Sequence, residues 1–139
     1  MKKFTVLKIL GVVLLTMIAL VCISFLEVAI YSYLVNTGQP ESFYEEHANI
    51  SAPYISGIFG FIIFFFVVRY WKKKYNDARK IAILYPLVYI LLDIVILLLA
   101  DIEWSYYFSV FAIANGAKIL GAFLGYQFTG RSIVTQTTN

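Results

Sequence analysis

The sequence predicts an all-α integral membrane protein, a four-transmembrane-helix bundle with both termini cytoplasmic. Three observations predict it. Hydrophobic residues make up 61% of the 139-residue chain and charged residues only 14%, against about 45–50% and about 25% in soluble domains. Four apolar stretches reach the ~20 residues that a helix needs to cross ~30 Å of hydrocarbon. Lysine and arginine crowd the connections on one side of those stretches, whereas the connections on the other side carry acids. The stretches lack the alternating polar positions of barrel strands, so helices are the remaining spanning solution.

The first helix is expected over about 9–35. Its basic start and apolar core also describe a signal peptide, but the apolar run continues to Val35, and Val21 precedes Cys22 where a lipoprotein signal wants a small residue. A retained helix is therefore expected. The others are expected over about 52–70, 81–100 and 105–128, in a single transmembrane domain covering 1–139. Cys22, the one cysteine, has no partner for an intrachain disulfide.

Charge sets the orientation. Lys2, Lys3 and Lys8 precede the first helix, the connection between the second and third carries Arg69, Lys72, Lys73, Lys74, Arg79 and Lys80, and Arg131 follows the fourth. The opposite side holds Glu41, Glu45, Glu46, His47, Asp101 and Glu103. The positive-inside rule then puts both termini in the cytoplasm, in the plasma (inner) membrane. Trp71, Trp104, Tyr70, Tyr106 and Tyr107 fall where interfacial aromatic belts belong. The basic connection reads as a topology signal beside lipid headgroups rather than as a nucleic-acid site. Asn49-Ile50-Ser51 matches a glycosylation sequon but is too short a pattern to carry weight.

Three ionisable residues are expected within the hydrocarbon: Glu27, Asp93 and Lys118. An isolated Lys or Asp at a helix centre costs about 2.5–3.5 kcal/mol on insertion scales, so these residues should find one another. At ~1.5 Å rise per residue, Glu27 and Asp93 lie about 11–12 Å below the outer ends of their helices and Lys118 about 20 Å below its own. Side chains lean toward a helix's N-terminus, which tips the carboxylates inward and the lysine outward. One shared site is the expectation. Its surplus negative charge would be met by a proton held at Asp93, within the apolar run LLDIVILLLA, or by a bound cation.

Helical spacing adds companions. Thr16, Leu20, Ser24, Glu27 and Tyr31 form a stripe on the first helix, and Tyr85, Tyr89 and Asp93 follow i, i+4 spacing on the third. Asn115 lies one turn from Lys118. Ser56 and Gly60 on the second helix, and Gly121 and Gly125 as a GxxxG pair on the fourth, are expected to let helices approach closely. The run FIIFFFVV, residues 61–68, is expected to face lipid or a partner.

Enzyme chemistry is not expected: there is one histidine, and no Cys/His metal spacing, glycine-rich phosphate loop or GxSxG elbow appears. No catalytic, cofactor or metal residues are assigned, and Glu45, Glu46 and His47 read as a solvated acidic loop. The functional expectation is proton- or ion-coupled transport, or small-molecule binding, at the intramembrane polar site. The alternative is a non-catalytic accessory or structural subunit whose buried charges orient the helices. The partners expected are the lipid bilayer and either a homo-oligomer or a larger membrane complex, with no nucleic acid.

Overall fold

The computed structural model describes residues 6–75, 77–100 and 104–128. Four α-helices follow one another: α1 (Val6–Ile30), α2 (Glu41–Lys74), α3 (Ala78–Leu99) and α4 (Trp104–Gln127). No strand occurs among the described residues. Each helix is long and apolar enough to cross a membrane. Large apolar side chains point outward along all four, among them Leu7, Phe25, Tyr54, Ile83 and Ile113, far more than a water-facing surface carries in contiguous patches. Lys2, Lys3, Asp101, Glu103 and Arg131, with the side chains of Trp104 and Tyr106, lie outside the described residues.

The largest departure from the sequence reading is α2. It begins at Glu41 rather than near Ala52 and has 34 residues, about 50 Å at ~1.5 Å per residue. The acidic segment expected as a loop is thus the first turns of a helix. The apolar run marks only the part apolar enough to cross a membrane, and glutamate is itself a good helix former. Pro40 supplies the extended residue before the helix, and Glu41 in the first turn complements the positive end of the macrodipole. Lys72, Lys73 and Lys74 complement the other end. Most of the expected basic loop is therefore helical, and only Tyr75 to Asp77 separate α2 from α3.

α1 ends in a π-helical turn, Tyr31–Val35, closed by Asn36 N–H donating to the Tyr31 carbonyl at 2.9 Å. Gly38 then takes φ 79°, a left-handed value that glycine adopts without a Cβ clash, and the chain reverses into Pro40. Tyr44 fastens this corner, donating its hydroxyl to the Asn36 carbonyl (2.8 Å) and accepting from Gln39 N–H (3.0 Å).

α4 packs chiefly on α2, while α1 contacts α2 and α3. α1 and α4 thus flank the α2–α3 pair. The glycines explain the α2–α4 approach: a Cβ on Gly121 would fall on the Phe61 carbonyl group, and one on Gly125 on that of Phe65. Gly57 meets Ala114 in the same seam. FIIFFFVV does not face outward uniformly, because a helix turns each third or fourth residue back to the bundle. Phe64 and Val68 are in the core, whereas Ile62 and Phe66 are exposed. Phe64 stacks on Tyr85 (centroids 4.3 Å apart) and meets Tyr89 edge-on (5.3 Å), with Trp71 against the far side of Tyr85 (5.2 Å). The Tyr85 hydroxyl is satisfied by Thr16 Oγ1 at 2.6 Å.

Candidate functional site: two polar clusters

Lys118 is buried to 1% exposure. The stem that carries it inward lies on Gly60 of α2, where a Cβ would come 2.8 Å from both Cγ and Cε of the lysine. Gly60 therefore makes room for a side chain rather than for a neighbouring backbone. The ammonium reaches Asn115 Oδ1 at 3.4 Å and sits 4.6 Å from the centre of the Tyr89 ring. The ring's negative face is a partner that a desolvated cation can use.

Asn115 is the hinge of the arrangement. Its Nδ2 donates to the Phe111 carbonyl one turn back and to Asp93 Oδ2, both at 3.1 Å. Both amide hydrogens are thereby used, which orients the amide and turns Oδ1 toward Lys118. Donors run in one direction, from ammonium through amide to carboxylate. Asp93 and Lys118 are joined through Asn115 rather than as a direct ion pair.

Space surrounds the carboxylate on two sides. A cleft of about 320 Å³ between α2, α3 and α4 is lined by Asp93, Asn115 and Lys118 with Asn49, Ser56 and Tyr107. A second, of about 360 Å³ between α1, α2 and α3, is lined by Asp93, Tyr89, Ser56 and Ser24. Pro53 and Ala52 border the first cleft, and Pro53 removes the backbone donor that would bond the Asn49 carbonyl in an unbroken helix.

Glu27 is not part of this cluster. Its Oε1 pairs with His47 Nε2 at 2.7 Å, and its Oε2 accepts from Ser51 Oγ at 2.9 Å. The Tyr31 ring lies flat on His47, with centroids 3.6 Å apart and planes 3° from parallel. Phe43 stacks beyond Tyr31 at 6.3 Å. Glu27 and Tyr31 line their own cavity of about 310 Å³ with Ile55 and Phe59.

The expected single site of Glu27, Asp93 and Lys118 is therefore two. Asp93, Asn115, Lys118 and Tyr89 come together, with Ser56 and Ser24 along the adjoining clefts. Glu27 and Tyr31 join His47 and Ser51 at the other place. The physical reason is the early start of α2, which delivers a histidine and a serine, one turn apart, to the level of Glu27. With this division Asp93 and Lys118 balance each other in formal charge, and the remaining carboxylate, Glu27, lies with His47 and Ser51. His47 and Ser51 are the residues that sequence reasoning missed. Their i, i+4 spacing matches that of Glu27 and Tyr31, a signal visible only once residues 41–51 are read as helix.

The described residues contain no group of three or more His, Cys, Asp or Glu side chains placed to hold a metal. Compared with known protein families, curated proteins and solved structures, the chain matches none.

Proposed function

We propose that the chain is an integral protein of the plasma (inner) membrane, with its basic end cytoplasmic, that binds and moves a proton, small ion or small polar solute at Asp93. The charge map supports the orientation. The observation that carries the functional reading is the position of Asp93 between two clefts: one carboxylate oxygen is held by Asn115, and the group borders space on both sides of the α2–α3 pair. An intramembrane ionisable residue is by default a candidate for an ion or substrate pathway. No bond-making chemistry is assigned to the chain.

A second reading draws on the fit of the Lys118 stem to Gly60. In it the cluster is architectural, holding α2, α3 and α4 in register within an accessory subunit. Proteoliposomes containing the full chain separate the two. With a pH-sensitive dye inside, and an imposed proton gradient with or without a monovalent-cation gradient, the transport reading expects a flux above that of empty vesicles. Asp93→Asn should abolish it while the protein remains folded and inserted. An Asp93→Asn protein that loses thermal stability but leaves every flux unchanged supports the architectural reading.

A further inference from the structure

A further cavity lies away from both polar clusters. It is an open groove of about 700 Å³ between α3 and α4 at the basic end. Its floor and walls are Ile83, Leu87, Ile90, Ile119 and Phe123, and at its basic end stand Arg79, Tyr126 and Gln127. Ile83, Leu87, Ile119 and Phe123 are each roughly half exposed, so the groove opens outward along its length. Tyr126 is fixed in place: Lys72 Nζ donates to its carbonyl at 2.5 Å and lies 4.4 Å from its ring centre.

The geometry points to a binding site for one anionic phospholipid, an acyl chain lying in the groove and the headgroup phosphate held by Arg79. The inference rests on the membrane reading but not on any role of Asp93. Three features select this occupant. From Arg79 to Ile90 the helix rises about 16 Å, close to half of the ~30 Å hydrocarbon thickness, which is the depth of one leaflet. Polar groups stand only at the end where a headgroup would lie. The Arg79 guanidinium makes no hydrogen bond or ion pair with any described residue, and a guanidinium is built to take phosphate oxygens two at a time.

Native mass spectrometry of the full chain, taken from nanodiscs of equal phosphatidylglycerol and phosphatidylcholine, tests the site. The wild type should retain one phosphatidylglycerol in preference to phosphatidylcholine, by on the order of fivefold for one arginine near the surface. Arg79→Gln should remove that preference, and Leu87→Trp, which fills the groove from a half-exposed position, should remove the retained lipid whatever its headgroup. Lys73→Gln, exposed and outside the groove, should change neither. Equal retention of the two lipids by the wild type, an undiminished preference in Arg79→Gln, lipid retained in Leu87→Trp, or a dimer that carries no lipid would each overturn the proposal.

Discussion

Two carboxylates on neighbouring helices have solved the same problem in different ways. Glu27 is met directly on both oxygens, by His47 and Ser51, at side-chain exposures of 33% for the glutamate and 23% for the histidine. Asp93 meets its cation through an amide, and that cation is only 1% exposed. The first arrangement resembles a clasp between two helices near the acidic end. The second spans α3 and α4, rests on Gly60 of α2, and leaves space beside the carboxylate. Direct pairing consumes a carboxylate's bonding capacity, whereas pairing through Asn115 neutralises the charge and keeps one oxygen available.

The comparison predicts unequal damage. The largest effect should come from Asn115→Leu, which removes the residue that bonds both Asp93 and Lys118 and leaves Lys118 without that hydrogen bond. Leaving a buried polar group without its hydrogen bond costs about 1–3 kcal/mol, more for a charged one, and adding Lys118→Met should recover much of it. Thermal unfolding in a mild detergent measures both, and no recovery with Lys118→Met would show that the lysine is held by something else. The smaller effect belongs to the clasp. Glu27→Gln keeps the shape and a hydrogen-bonding side chain, so its loss should be ~1 kcal/mol or less, as for partly exposed ion pairs. A loss of several kcal/mol would show that the contact with His47 and Ser51 holds the helices more strongly than a partly exposed pair does.

What could be read from the sequence follows from period and length. The four apolar runs and the alternation of charge across them carry the helices. The i, i+4 pattern of Tyr85, Tyr89 and Asp93, together with Asn115 one turn from Lys118, carries most of the second cluster. The grouping of Glu27 with Asp93 and Lys118 fails because depth, side-chain lean and helical face each locate a residue on its own helix only. Depth is a coordinate along the bundle, and it says nothing of which helices are neighbours. α1 and α4 flank the α2–α3 pair from different sides, so Glu27 and Lys118 face different partners. His47 is hidden for another reason: a polar segment beside an apolar run looks like a loop whether or not it is helical. Gly60 was legible as a small residue, but the lysine stem that it accommodates was not, because a small-residue stripe does not say whether backbone or side chain will fill it.

The central claim is that Asp93 and Lys118 form one energetic unit from which Glu27 is separate. Double-mutant cycles on thermal or denaturant unfolding measure this directly, pairing Asp93→Asn with Lys118→Met and Glu27→Gln with Lys118→Met. The Asp93–Lys118 cycle should give a coupling of about 1 kcal/mol or more, and the Glu27–Lys118 cycle should be additive within about 0.3–0.5 kcal/mol, as expected of sites that share no partner. A Glu27–Lys118 coupling as large as that of Asp93 with Lys118 would contradict the division of the buried charges into two clusters.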